Sequence, residues 1–228
     1  MTTTVILLCL VPVAYLLGAV PFGLIVGKAK GVDPRTAGSG NIGATNVGRL
    51  LGMRFFFLVF VLDMLKGLLP MALASWLLCR QGPAGQRDAM TNLLHLLIGL
   101  AGILGHMFSV FIGFKGGKGV ATSAGVALGL YPFFTLPGLL VVAVWAVVYG
   151  ISRYVSLASM IAAVGFPIAF VVVGRLSHWD VFGRQLPLFL FAVLVGGLIV
   201  VRHRSNLTRL RAGTETRFTG KAGKAEAR

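Results

Sequence analysis

The chain has 228 residues, 57% of them hydrophobic and 12% charged, with a mean hydropathy of +0.89, where a soluble domain carries about 25% charged residues. That composition excludes a soluble globular domain. Because a membrane-crossing helix takes about 20 mostly apolar residues, the chain has room for several spans and almost no extramembrane domain. The 21 Lys and Arg against 6 Asp and Glu give +15, which in a soluble chain would point to nucleic acid. Here the cations lie in short segments between apolar runs, where topology alone demands them, and nucleic acid is not an expected partner.

Apolar runs fall at 3–26, 53–79, 91–113, 119–133, 135–151, 155–174 and 186–201. They predict an all-α polytopic membrane protein with seven transmembrane helices; the short, glycine-rich fourth run leaves a count of six open. No basic residue precedes Lys28, so the first run lacks the positive start of a cleaved signal peptide and is expected to stay as an anchor. Cys9 and Cys79 lie within or at the edge of apolar runs without CxxC spacing, which indicates neither a zinc site nor a disulfide framework.

Lys and Arg of short loops stay in the cytoplasm. With the N-terminus outside, the inner segments 27–54, 114–118, 152–154 and 202–228 hold 16 of the 21 basic residues, while the outer ones hold Arg80, Arg87, Arg175 and Arg184. The expected topology is therefore N-terminus outside, C-terminus cytoplasmic. Residues 1–215 read as a single transmembrane catalytic domain, and 216–228, basic and rich in Gly and Ala, as a disordered cytoplasmic tail.

Nearly all unusual polar residues share the inner side. Gly38-Ser39-Gly40-Asn41-Ile42-Gly43 matches GxGxxG, and Asp63 follows Gly43 by 20 residues, where a dinucleotide fold places its ribose-binding acid. The preceding GVDPRTA is turn material rather than a strand, and Asp63 lies inside FFFLVFVLDMLKGLLPMAL, so the nucleotide reading fails. Closely spaced glycines still let backbone N–H groups converge on an anion, and Ser39, Asn41, Thr45 and Asn46 add side-chain partners. A loop folding back between helices would account for the same glycines equally well. Arg49 suits bidentate phosphate binding or, as an interface arginine, topology.

Phe114-Lys115-Gly116-Gly117-Lys118-Gly119 fails the P-loop pattern, since no glycine stands five positions before Gly117 and Gly119 occupies the Ser/Thr position. Its glycines around two lysines nevertheless make a strongly positive turn fit for a phosphate. His203 starts the basic tail with Asn206 on the same helical face, and histidine ordinarily titrates near neutral pH. His95, His106 and His178 read as packing or loop residues. Asp63 and Lys66, near mid-span, read as an ion pair that orients the second span, because a lone charge there costs at least about 2.5 kcal/mol. No GxSxG elbow, HxxxxD box or carboxylate cluster occurs, so neither an activated serine or cysteine nor a metal is expected, and no cofactor.

At these residues the chain resembles the bacterial acyl-phosphate-dependent glycerol-3-phosphate acyltransferases, integral inner-membrane enzymes. The matching stretches are GAVPFGLIVGK with GSGNIGATNVGR, LDMLKG, GHMFSVFIGFKGGKGVATS, SRYVSLAS and HRSNLTRLRAGTE. The resemblance implies seven spans, an external N-terminus and a cytoplasmic active site in the bacterial inner membrane. It also implies transfer of a fatty acyl group from acyl phosphate to the 1-hydroxyl of glycerol 3-phosphate, giving lysophosphatidic acid and phosphate, the first step of phospholipid synthesis. By similarity, Ser39, Asn41, Thr45, Arg49, Lys115, Lys118, Ser156, His203, Asn206 and Glu215 line the site.

Taken together, His203, Ser39 and Asn206 are the expected catalytic residues. Gly38, Gly40, Asn41, Thr45, Asn46, Arg49, Lys115, Gly116, Gly117, Lys118, Ser156 and Glu215 are the expected substrate-binding ones, with glycerol 3-phosphate, acyl phosphate and membrane lipid as partners. The competing reading is an organic-phosphate transporter. Transporter sites tend to lie near the bilayer midplane between repeated halves, whereas these glycines and cations lie at one face and no internal repeat is visible.

Overall fold

The computed structural model describes residues 3–80 and 89–219. Arg87 of the expected outer turn and residues 220–228 of the expected tail lie outside the described residues. Among the described residues every regular element is helical. The chain divides into two compact units, residues 1–126 with the segment from Phe218, and Ala127–Arg217.

In the first unit, α1 (Thr3–Ala19) and α2 (Phe22–Ala29) form one apolar span, Thr3–Ala29, interrupted where Pro21 brings no backbone N–H to the ladder. A short helix α3 (Ala44–Leu51) leads into the 27-residue α4 (Met53–Cys79), followed by α5 (Ala89–Met107) and the start of α6 (Val120–Gly129). Lipid offers no hydrophobic drive for helix pairing, so close association relies on small residues. Gly18 and Gly105 let α1 and α5 meet backbone to backbone: a Cβ on either would collide with a carbonyl oxygen, Gly102 O or Tyr15 O. Gly67 and Gly125 do the same for α4 and α6, against Thr122 O and Met64 O. At the end of α5, Ser109 Oγ donates to Ala19 O at 2.5 Å and Tyr15 OH to Phe108 O at 2.8 Å. Phe218, expected in a disordered tail, is 1% exposed and packs on the Phe56 ring at 5.0 Å.

The second unit contains α7 (Thr135–Ser152), α8 (Val155–Leu176), α9 (Leu186–Arg202) and α10 (Arg204–Arg211). Its core is Phe134, fully buried and edge-on to Phe166 and Phe170 at 5.0 and 5.4 Å. Trp145 Nε1–H donates to Ser159 Oγ at 3.1 Å, joining α7 to α8. The outward faces are apolar, as at Val147, Ile151, Ile168 and Leu190, which is what a lipid-facing surface requires.

Among the described residues, five spans are long and apolar enough to cross a membrane (Thr3–Ala29, Met53–Cys79, Met90–Ile112, Thr135–Ser152 and Val155–Leu176), or six if α9 and α10, bent by 57°, count as one. The fourth predicted run, 119–133, differs from expectation. Its helix α6 has 10 residues and, at 1.5 Å per residue, is about 15 Å long, half of a roughly 30 Å hydrocarbon core. The run ends instead in turns at residues 130–134.

Candidate active site

In the first unit the expected anion loop is built by one side chain. Asn46, buried on α3, donates from Nδ2 to Pro34 O at 2.9 Å, Ala37 O at 3.1 Å and Asn41 O at 2.8 Å, and its Oδ1 accepts Ser39 N–H at 2.8 Å. Asn41 Oδ1 accepts Gly43 N–H at 2.9 Å. Gly38 and Gly40 have φ of +60° and +71°, a left-handed backbone in which a Cβ is disfavoured. The result is a compact coil with Ser39 exposed at its tip and Asn41, Thr45 and Arg49 half-buried beside it. Both ends of the amide of Asn46, an expected substrate-binding residue, engage the loop's own backbone. Arg35 and Asp33, just upstream, pair at 2.6 Å on the surface. The hydrogen bond from the Arg35 side chain pulls the Asp33 carboxyl down to about 2.

The glycine-lysine turn follows α5. The last carbonyls of a helix lack intrahelical partners, and here the turn supplies them: Gly116 N–H donates to Met107 O at 3.2 Å and Gly117 N–H to His106 O at 3.0 Å. Folding back this closely requires glycine, since a Cβ at Gly116 would collide with His106 O. Lys115 is left exposed and Lys118 half-buried at the mouth of α6.

In the second unit a carboxylate gathers the remaining expected residues. Glu215 Oε1 accepts Ser156 Oγ–H at 2.8 Å and Asn206 Nδ2–H at 2.7 Å; its Oε2 accepts Arg209 Nε–H at 2.7 Å. Ser156, at the N-terminus of α8, thus meets Asn206 on α10. Burial opposes ionisation of Glu215, but the bonds from Asn206 and Ser156 and the Arg209 guanidinium outweigh it and hold the carboxyl below its ordinary 4.5. His203, 3% exposed, sits at the corner between α9 and α10. Its Nδ1 is 2.8 Å from Ile199 O. A carbonyl oxygen only accepts, so Nδ1 carries a proton, and a neutral ring in this place has its lone pair at Nε2. Two partners went unforeseen in the sequence: Arg209, whose only signal is its basic charge six residues before Glu215, and His106, whose signal is a place at the end of an apolar run just before FKGGKG.

The backbone N–H groups of Ser39, Gly40, Gly43, Gly116 and Gly117, expected to converge on an anion, instead donate to acceptors within the protein; what the first unit offers a phosphate is its cations with hydroxyl and amide side chains beside them. The second offers a histidine with a defined tautomer and amide and hydroxyl groups oriented by a carboxylate.

Comparison with known proteins agrees with this chemistry. The family model for glycerol-3-phosphate acyltransferase matches residues 7–213. The glycerol-3-phosphate acyltransferase of Aquifex aeolicus (strain VF5) is 42% identical over 219 residues, covering 92% of this chain and 98% of its own. That of Roseiflexus sp. (strain RS-1) is 44% identical over 221 residues, covering 96% and 98%. Crystal structures of PlsY (YgiH), an integral membrane glycerol 3-phosphate acyltransferase, are similar in fold. Its glycerol 3-phosphate form has a TM-score of 0.78 at 41% identity, covering 93% of this chain and 95% of that one. Its lysophosphatidic acid form has a TM-score of 0.76 at 40% identity, covering 94% and 96%.

Proposed function

Because the chain belongs to the glycerol-3-phosphate acyltransferase family, and is thereby a membrane-bound acyltransferase, we propose the particulars of its reaction. The donor is acyl phosphate, and the 1-hydroxyl of glycerol 3-phosphate attacks its carbonyl directly, giving lysophosphatidic acid and inorganic phosphate. The loop 38–46 and the turn 115–119 of the first unit supply phosphate-binding groups and the α9–α10 corner of the second supplies the proton-handling group, all on the cytoplasmic side of the bacterial inner membrane. The short α6 is a seventh, half-length crossing, and the N-terminus lies outside. Support for this topology comes from the clustering of basic residues in the segments assigned to the inner side; support for the substrate and product comes from the glycerol 3-phosphate and lysophosphatidic acid forms of PlsY.

The observation that carries the reading is the glycine-lysine turn, folded back on the last carbonyls of α5 with Lys115 and Lys118 held on a short backbone. Both substrates carry a phosphate near −2. Two dianions roughly 8 Å apart repel by about 8 kcal/mol at an effective dielectric of 20, and Arg49, Lys115 and Lys118 are the cations assigned here to offset that. Acyl phosphate is an activated anhydride whose phosphate leaves without an acid catalyst, so no enzyme nucleophile is needed. What remains is positioning, donors for the developing oxyanion and a path for the hydroxyl proton. The hydroxyl of Ser39 and the amide of Asn206 supply donors, with Glu215 orienting Asn206 and Ser156. His203 accepts the proton at Nε2 and passes it to the departing phosphate.

The test gives purified full-length protein in detergent glycerol 3-phosphate with acyl phosphate or acyl-CoA side by side. Lysophosphatidic acid and stoichiometric phosphate from acyl phosphate alone are expected. Equal turnover of acyl-CoA would overturn the donor assignment. Product formed without any closed vesicle also separates catalysis from carriage of an organic phosphate.

A further inference from the structure

Behind the glycine-lysine turn lie three buried titratable side chains to which acyl transfer gives no task. Asp63 and Lys66 of α4 pair at 2.8 Å with 4% of each side chain exposed. Lys66 Nζ also donates to Val20 O at 3.0 Å, at the break before α2, and Thr122 Oγ1 of α6 donates to Asp63 O at 2.9 Å. The same Asp63 oxygen, Oδ1, stands 3.6 Å from Nδ1 of His106, which is 5% exposed in the last turn of α5. His106 in turn forms the floor of the turn: its carbonyl accepts Gly117 N–H, and a Cβ at Gly117 would collide with His106 Nε2. Lys66, Asp63 and the imidazole therefore stand in one buried group, with the ring directly beneath Gly117.

Orienting a span requires no more than the Asp63–Lys66 pair, and buried ion pairs are often no better for stability than apolar residues of equal volume. Adding a third polar group to the pair costs desolvation and gains a defined place for one ring. We propose that Asp63 and His106 are positioning residues for the glycine-lysine turn. Asp63, held by Lys66, fixes the imidazole, and the imidazole fixes the height of Gly117 and hence where Lys115 and Lys118 meet a substrate phosphate. This rests on the reading of the turn as a phosphate site. Neither residue touches substrate; both act through Gly117.

The experiment is a double-substitution cycle on purified full-length protein, reading kcat, KM for glycerol 3-phosphate, KM for acyl phosphate and melting temperature. Misplacing a reacting group by about 1 Å costs up to about 100-fold, so Gly117→Ala, whose methyl group meets the imidazole, should raise one KM by about tenfold or more. His106→Ala and Asp63→Asn should raise the same KM and leave the other alone, and the substrate affected identifies which phosphate the turn holds. Gly117→Ala with His106→Ala should be no worse than His106→Ala alone, because the clash is gone. Both KM values unchanged in His106→Ala and Asp63→Asn, with only the melting temperature lowered, would overturn the proposal; so would singles whose effects multiply in the double variant. Should His106→Ala fail to fold, His106→Asn, whose amide can still reach Asp63 while the ring edge is withdrawn from Gly117, takes its place in the cycle. Lys118→Gln separates the two failures. If it leaves both KM values at wild type, the turn is no phosphate site and the premise falls; if it raises one while the His106 variants do not, only the positioning role falls.

Discussion

The two units organise their polar residues around opposite kinds of hub. In the first, the neutral amide of Asn46 turns its donors toward three backbone carbonyls of the loop before it. In the second, the ionised carboxylate of Glu215 is surrounded by donors from Ser156, Asn206 and Arg209. The difference follows from what each must hold. A tight glycine coil turns the carbonyls of Pro34, Ala37 and Asn41 inward, and those need a donor. Aligning amide and hydroxyl side chains takes an acceptor, and a charged one gives the stronger bonds. Only the second hub titrates.

Substitutions can break this contrast. The largest effect is expected from Arg49→Ala, which removes a cation beside the amide-built loop and should lower kcat/KM by about 100-fold or more, the scale of losing one electrostatic contact to developing charge. On the other unit, His203→Ala should lower kcat by about 100-fold if the imidazole takes the proton, whereas activity near wild type would move that proton directly onto the acyl-phosphate oxygen. Asn46→Asp keeps the shape of its hub but faces three carbonyls with an oxygen. At about 1–3 kcal/mol per unmet buried group, kcat/KM should fall by about 10- to 100-fold in steady-state assays.

Glu215→Gln is expected to be milder, about tenfold in kcat/KM with a melting temperature lowered by a few degrees. It weakens charge-assisted bonds worth about 1.5–3 kcal/mol each, and the share from Arg209, 39% exposed, is reduced by solvent. This variant also sharpens the pH contrast. Since the folded carboxyl titrates below its ordinary 4.5, its contribution is fully present above that value and is lost as pH falls through the depressed one. Wild type should lose melting temperature in that acidic window, Glu215→Gln should lose less, and Asn46 variants should keep the wild-type slope. Least affected should be Asp33→Asn, whose exposed pair with Arg35 should change neither the melting temperature nor kcat measurably.

Much of the architecture was legible in the chain because apolar run length and the distribution of Lys and Arg are local properties. The spans α4, α7 and α8 follow their runs within a few residues. The short fourth run left the count open, and the half-length of α6 was not legible because Leu130, Phe133 and Phe134 extend the apolar run although the residues at 130–134 leave the helix. Site residues were legible as types; their jobs were not. That Asn46 reaches back to residues 34, 37 and 41, or that Ser156 and Glu215 meet across 59 positions, depends on tertiary folding that no spacing encodes. His106 read as a packing residue since nothing local marks Asp63 as its neighbour.

All of this depends on a hydroxyl attacking a donor held by cations and amides, with the protein never itself acylated. Rapid-quench measurement of phosphate release from acyl phosphate, with glycerol 3-phosphate left out, tests that most directly. Direct attack predicts no phosphate burst and no acyl group retained on the protein until the acceptor is added. A burst of one phosphate per chain, with the acyl group recovered covalently on a side chain, would contradict it.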